Sequence, residues 1–340
     1  MKIRVAIVGF GFMGQMHAKV YQALENVEIV GIVDPFPAAV EAAAQYGFHA
    51  TFSSSIESLL NQTAVDIIDI CLPTDLHANA IVTAAQAGKH IFCEKPFALT
   101  IAEAERSLAA VETAGVHFQV GQCIRFWPEY QALEAYLKSG QGGRLTSLWL
   151  QRRASKPGYS QENWLHTPHR SKGAALDLHI HDTDFILHLL GKPHAVHSIG
   201  HKVDGAYAHL FTQYHYDQIA VTAQGGWDYP AKWGFQMAFQ AVFEHAVIEM
   251  DSLTSPSLHI TQNDQERVAM PFAKLNIKSH GPTSGNISDL GGYYNELASF
   301  VEGIRKGIKP SIATGPQALE SLRTVLAEIQ SADENRSIIL

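Results

Sequence analysis

Gly9-Phe10-Gly11-Phe12-Met13-Gly14 has the spacing G-x-G-x-x-G, and Asp34 follows it at a distance suited to the same ligand. These residue types fit a dinucleotide. The first glycine permits a tight turn, the second lets backbone approach a pyrophosphate, and the third lets a helix pack closely on a strand. Phe12 and Met13 sit in that turn, where the opening of a helix offers N–H donors and a positive dipole end to phosphate. An acid at position 34 accepts hydrogen bonds from ribose hydroxyls and repels a 2′-phosphate. Pro35, Phe36, Pro37 and Ala38 provide no basic side chain to bind such a phosphate, so the pattern favours NAD over NADP.

Histidine is the second chemical signal. Ten of the 18 histidines lie between His166 and His215, and imidazole is both a proton carrier near neutrality and a common metal ligand. His166, His169, His179, His181 and Asp182 could be taken for ligands of zinc or a similar ion. Helical geometry speaks against this, because His179 and His181 would diverge by about 200°, whereas Asp177, His181 and His188 would share a face. His197, His201, His209 and His215 fall in β-rich runs and read as sheet residues. No metal site is expected.

The elements needed to position these groups follow from periodicity. Apolar runs at 3–8, 29–33, 67–72, 90–93 and 117–120 alternate with helical spacing at 14–24, 38–46, 76–87 and 101–114. Thr100 and Glu103 form a capping box at the start of the last of these helices. Near-continuous apolar strands separated by helices predict a doubly wound parallel sheet covered on both faces. The glycine run then falls at the first strand-to-helix turn, the context that a dinucleotide fingerprint requires. Beyond residue 122 the rhythm changes. Helices are expected at 128–139, 178–190, 293–306 and 316–331, and a strand at 145–153. Further strands between 195 and 260 with few helix signals predict a large open, mostly antiparallel sheet, and 273–292 reads as a loop. The predicted fold is α/β, with a Rossmann domain over 1–122 and a substrate-binding and oligomerisation domain over 123–340.

At this point the chain resembles a known family. The glycine run, Cys71-Leu72-Pro73-Thr74-Asp75-Leu76-His77, Ala87 to Pro96 with its Glu94-Lys95-Pro96, Ala175-Leu176-Asp177-Leu178-His179-Ile180-His181-Asp182, and Tyr294-Asn295-Glu296-Leu297 occur in the order seen in the glucose–fructose oxidoreductase/inositol dehydrogenase/MocA family. The resemblance implies an NAD(P)-dependent oxidoreductase with a Rossmann domain and a C-terminal sheet that makes subunit contacts. It assigns Lys95, Asp177 and His181 to catalysis, with Glu94 beside Lys95 and a proline at 96 whose preceding bond is often cis. It places Gly9, Gly11, Phe12, Met13, Gly14, Asp34, Thr74, His77, Glu94 and Lys95 around the cofactor, with Gln122 and Arg125 as weaker matches. Arg125, Trp127, Arg152, Trp164 and His181 are candidate substrate contacts, the tryptophans as flat surfaces for a sugar ring. The chain departs from the family's common pattern at Lys172-Gly173-Ala174-Ala175, at His179 and at Ile124.

Composition bounds what remains. The 340 residues suit about two domains. Forty-six per cent are hydrophobic and 17% charged, where about a quarter charged is usual, so the chain can bury large cores. A net charge of −8 with no basic stripe argues against nucleic acid. No apolar run is long enough to span a membrane, the start shows no signal-peptide pattern, and three cysteines cannot all pair. A cytoplasmic protein with reduced thiols is expected. Arg152, Arg153, Lys156, His166, His169, Arg170 and Lys172 make one stretch basic, which suits an acidic substrate or simply a solvated loop. Three functions remain open: an NAD-dependent dehydrogenase of a sugar, inositol or related polyol, working as a homodimer or homotetramer through the C-terminal sheet; a glycoside-cleaving enzyme that oxidises its substrate transiently; and a nucleotide sensor without chemistry. Joint retention of Lys95, Asp177 and His181 speaks against the last, since a sensor needs only the glycine loop and Asp34.

Overall fold

Strands that are apolar on both faces lose water only inside a sheet covered on both sides, and the N-terminal part of the chain builds one. The computed structural model describes residues 2–47, 49–158, 160–273 and 290–340. In order, it forms β1 (Ile3–Val8), α1 (Phe12–Ala23), β2 (Val27–Val33), α2 (Ala38–Ala44), β3 (Thr51–Ser53), α3 (Ile56–Leu60), β4 (Ile67–Ile70), α4 (Thr74–Gln86), β5 (His90–Glu94), α5 (Ile101–Ala114) and β6 (Phe118–Gly121). The six strands are all parallel in the order β3-β2-β1-β4-β5-β6. Strand order therefore reverses between β1 and β4, which opens a crevice at their carboxyl ends. The capping box is formed: the Glu103 amide donates to Thr100 Oγ1 at 3.3 Å and the Thr100 amide to the Glu103 carboxylate at 3.0 Å. β3 and α3 escape sequence expectation because three strand residues and five helix residues are too few to display a period.

Beyond β6 come α6 (Pro128–Ser139), closed by Gly140 at φ 68°, β7 (Leu145–Ser155) and the short α7 (Pro168–Ser171). A π-helical turn over Ala175–His179 runs into α8 (Ile180–Leu190). Then follow β8 (Ala195–Val203), β9 (Ala206–His215), β10 (Ala220–Tyr229), β11 (Phe235–Phe243), β12 (Ala246–Asp251), β13 (Leu258–Gln262) and β14 (Val268–Ala269). The chain ends with α9 (Gly291–Lys306), α10 (Gly315–Glu334) and β15 (Ile338–Ile339). These strands form a nine-stranded sheet, β14-β13-β12-β11-β7-β10-β9-β8-β15, antiparallel except between β7 and β10. Its side chains alternate as one covered face requires. Leu148, Leu150, Leu210, Tyr214, Val221 and Phe239 are buried, whereas Trp149, Ile199 and Phe211 are exposed, with Phe211 opposite Ile199 in register.

Two compact units result. One holds the described residues up to Cys123 together with 160–165 and 290–320; the other holds 124–158, 166–273 and 321–340. A single cut after residue 122 thus misses two returns of the chain. The larger return is α9, whose apolar face serves the first unit: the Phe300 ring meets Phe92 of β5 edge-on at 5.6 Å, and Leu297 and Val301 are buried beside it. Most of the loop expected at 273–292 lies outside the described residues. No helix of the described residues is long and apolar enough to cross a membrane.

Candidate functional site

In the first unit, the sequence-predicted cofactor residues gather at the carboxyl ends of the parallel strands. Gly9 follows β1 at φ 91°, and a Cβ there would stand 2.6 Å from the Cys71 carbonyl oxygen. A Cβ at Gly14 would stand 2.1 Å from the Gly9 carbonyl oxygen, so α1 reaches the end of β1 only because position 14 is glycine. Above Gly11 a Cβ would meet nothing within 4 Å. Gly11 opens α1 without a side-chain cap, and no acid stands in the first turn, which holds Phe12 and Met13. This open, uncapped, electropositive helix start is the cradle a pyrophosphate needs. Asp34, just past β2, accepts the Phe10 amide at 2.8 Å and the Phe36 amide at 2.9 Å. Its carboxylate therefore ties the glycine turn to the turn after β2, at the place where a ribose would be read. The residues fit NAD.

Thr74 and His77 lie in α4, both buried. The His77 ring nitrogens lie 2.8 Å from the Pro96 carbonyl oxygen and 2.7 Å from that of Leu72. Burial holds this imidazole below its ordinary pKa despite both carbonyls. His77 thus joins the turn after β4 to the turn after β5, where the Lys95–Pro96 bond is cis. Glu94 ends β5, is buried, and accepts the Lys95 amide at 3.1 Å through Oε2. Its Oε1 lies 3.1 Å from Nε2 of His17, a residue on α1 that sequence reasoning did not single out. His17 Nδ1 lies 2.8 Å from Asp69 Oδ2 and 3.3 Å from Cys71 Sγ, and the buried carboxyl of Glu296 from α9 completes the group. Gln122, just past β6, also buries its amide, with no hydrogen-bond partner among the described residues. The available signal for His17 was its position on the helix after the glycine run. Glu296 stood in a quoted motif without a role.

The second unit positions Asp177 and His181. Asp177 lies in the π-turn, half-buried, and His181 is buried in the first turn of α8. A π-turn carries more residues per turn than an α-helix and recurs at functional sites, so the junction departs from the regular helix expected from sequence. The backbone here comes very close to β10: a Cβ on Gly225 would stand 2.9 Å from His179 Cα. His179 itself is fully buried, with Nε2 2.9 Å from Glu328.

Two buried arginines hold the same helix. Arg125 donates to Asp184 through Nε and Nη2, both at 2.7 Å, and Ser321 donates to the same carboxylate at 2.7 Å. Arg152 donates to Asp182 at 2.8 Å and to the Tyr130 hydroxyl at 3.4 Å. Burial pushes the Asp182 carboxyl up, and the Arg152 charge opposes this without cancelling it. Both guanidiniums, offered by sequence as substrate contacts, are occupied in holding α8. Trp127 and Trp164 are half-buried, the first just before α6 and the second in the first unit. Within the basic stretch, Arg153 and His166 have local partners. Arg153 stacks over Tyr229 and Trp233, with 5.7 and 5.4 Å to the ring centroids, and His166 lies 2.7 Å from the Pro157 carbonyl oxygen. Among the described residues, the groups close enough to share a metal ion are His17 with Asp69 and Cys71, and His17 with Glu94 and Glu296, outside the histidine-rich stretch.

Residues 3–122 match the oxidoreductase family with an NAD-binding Rossmann fold, and residues 130–249 match the GFO/IDH/MocA C-terminal domain. The chain belongs to this family. It is an oxidoreductase with an NAD-binding domain, as the glycine run and Asp34 imply. An inositol 2-dehydrogenase from Rhizobium meliloti (strain 1021) is 28% identical over 357 residues, covering 99% of each chain. A scyllo-inositol 2-dehydrogenase (NAD(+)) from Bacillus subtilis (strain 168) is 29% identical over 191 residues, 56% of this chain and 54% of that one. The solved structure of a levoglucosan dehydrogenase in complex with NADH and levoglucosan superimposes with a TM-score of 0.82, covering 100% of this chain and 99% of that chain at 21% identity.

The site generates one cofactor prediction. NAD should bind at least about tenfold more tightly than NADP, equivalent to roughly 1.4 kcal/mol. Asp34→Ser should narrow the ratio, and it should also weaken NAD itself because the Phe10 and Phe36 amides lose their acceptor. Titration of both nucleotides by fluorescence checks this, and a wild-type preference for NADP would refute the reading of Asp34.

Proposed function

We propose that this chain oxidises a secondary hydroxyl of a sugar, inositol or related polyol, with NAD as the acceptor. The observation that carries the reading is the anchoring of both candidate reacting groups. Lys95 follows a strand end whose Glu94 is pinned on both carboxylate oxygens, and His181 sits on a helix clamped by two buried arginine–aspartate pairs. A nucleotide sensor has no use for either. The polyol class draws support from the inositol 2-dehydrogenase that matches this chain along its length.

The roles follow from charge and proton balance. NAD, when bound, supplies the site that accepts a hydride. Gly11 and the start of α1 hold its pyrophosphate, and Asp34 its ribose. Lys95, as an ammonium, hydrogen-bonds the reacting hydroxyl and stabilises the alkoxide that develops there. His181, in its neutral form, accepts the hydroxyl proton. Asp177 orients His181 or holds a neighbouring hydroxyl. Arg125 and Arg152 keep α8 in place instead of touching substrate. The outer face of the nine-stranded sheet, with Trp149, Ile199 and Phe211 exposed, is the surface for self-association, and three cysteines outside any disulfide suit a reducing cytoplasm.

Kinetic, cofactor-balance, chelation and assembly measurements test this reading. His181→Ala and Lys95→Ala should each lower kcat by roughly 10²–10⁴-fold with NAD affinity nearly unchanged. The acid limb of the kcat/KM profile should disappear in His181→Ala, because a protonated imidazole cannot take the proton. Full turnover with an intact acid limb would sink the assignment. Stoichiometric NADH formation across a panel of inositols, sugars and sugar acids distinguishes net oxidation from a transient oxidation that leaves NAD unchanged. Exhaustive chelation should leave turnover intact, since Lys95 supplies the positive charge at the alkoxide; zinc-restored activity would contradict this. Light scattering should find a dimer or tetramer, and Trp149→Glu should shift it toward monomer; an unaltered assembly would move the contact elsewhere.

A further inference from the structure

Four ionisable side chains from four elements of the first unit converge out of water directly behind the Lys95 peptide. His17 comes from α1, Asp69 from β4, Glu94 from β5 and Glu296 from α9. All four are buried, and three of them (His17, Asp69 and Glu296) are entirely so. The His17 ring is gripped through both nitrogens, at 2.8 Å by Asp69 and at 3.1 Å by Glu94. Phe92 and Tyr293 pack against it at 5.6 and 6.3 Å between ring centroids. The Glu296 carboxyl offers an oxygen within 4.8 Å of both the His17 ring and the Glu94 carboxylate, and neither of its oxygens finds a hydrogen-bond partner in the described structure. A buried carboxyl left in that condition is expensive unless it serves its neighbours.

We propose that His17 and Glu296 are positioning residues that lock the Glu94 carboxylate and, through it, the peptide carrying Lys95. Glu94 has two oxygens and two tasks: Oε1 faces His17, and Oε2 accepts the Lys95 amide. Were Oε1 released, the carboxylate could rotate and free the amide that sets the direction of the lysine. The inference rests on the reading of Lys95 as a reacting group.

Charge balance is consistent with this geometry. Burial works against a charged His17, yet the Asp69 carboxylate and its hydrogen bond hold the ring well above the ordinary histidine range. Burial also works against an ionised Glu94, but the His17 hydrogen bond and charge, then Lys95, hold it below the ordinary carboxylate range. For Glu296 burial and the Glu94 charge act together, and its carboxyl is pushed well up. The other groups facing the cluster are Tyr21 of α1, Cys71 after β4, Cys93 of β5 and Tyr293 of α9, and burial raises all four, which keeps them neutral. One cation thus stands between two carboxylates, Lys95 follows in the chain, and Glu296 keeps its proton. A second ionised glutamate would add an anion with no cation to meet it.

The sign of the pH effect follows. A carboxyl whose pKa is higher folded than unfolded stabilises the fold fully below its unfolded pKa, and that stability is lost as pH rises toward the folded value. Wild-type melting temperature should therefore fall as pH rises above the ordinary carboxylate range, and Glu296→Gln, which keeps the shape and cannot ionise, should flatten the fall. Equal slopes in the two proteins would overturn the proposal. On myo-inositol or levoglucosan, whichever the wild-type chain oxidises, His17→Ala should lower kcat by about tenfold or more through a displaced reacting group, with NAD affinity unchanged. His17→Gln, which still offers Glu94 an N–H donor, should recover part of the loss. Unchanged turnover in His17→Ala, or kcat and NAD affinity falling together, would overturn the positioning role. Should His17→Ala fail to fold, His17→Gln decides in its place: kcat should still fall with NAD affinity unchanged, and wild-type turnover would overturn the positioning role. Full turnover in Lys95→Ala would defeat the reading of Lys95 instead, and the melting slopes would still judge the cluster.

Discussion

A charged side chain taken out of water must find its balance inside the protein, and the candidate site depends on how that demand is met. Born-type solvation makes an isolated buried ion untenable, whereas a paired and hydrogen-bonded one is tolerated at a fixed geometry. Both units use that rigidity. In the first, His17 between Asp69 and Glu94 fixes the end of β5, where Lys95 begins. In the second, Arg125–Asp184 and Arg152–Asp182 fix the helix that bears His181. Replacing such pairs with apolar side chains would often be neutral for stability. Their value here lies in direction, because a salt bridge has a preferred geometry and a leucine contact has none.

The parallel sheet solves a different problem. It must bring backbone close to a doubly charged pyrophosphate without placing side chains in the way. The missing Cβ at Gly14 lets α1 close onto β1, that at Gly9 lets the turn pass the Cys71 carbonyl, and the open space over Gly11 leaves the helix start accessible. Asp34 then has two functions at once, since the carboxylate that would read the ribose also receives the amides that shape the glycine turn. Cofactor choice and loop shape are thereby linked in one side chain.

The histidine-rich stretch is instructive because its chemistry dissolves on folding. His179 is sealed against Glu328, His166 meets a carbonyl oxygen, and His209 pairs with Asp228 and stacks on Phe211. His181, buried in the first turn of α8, is the histidine of this stretch proposed to react. The close set of potential ligands lies instead around His17, among residues from distant parts of the chain.

What the sequence determined by itself was the set of elements and the glycine fingerprint. Periods of two and 3.6 residues, the Thr100 capping box and the Gly140 helix stop are local properties, and local properties survive in a string of letters. The family motifs likewise named Lys95, Asp177 and His181. Tertiary structure decided the rest. Arg125 and Arg152 read as substrate contacts because an arginine beside a motif usually faces solvent or ligand, and only folding brings Asp184 and Asp182 up to bind them. α9 read as part of the second domain because it follows it in the chain, yet its apolar face packs on β5. His17 and Glu296 stand 279 positions apart, so no spacing rule could join them. They meet because α1 and α9 cover the same sheet, and a buried charge must be answered by whichever residue the fold brings within reach.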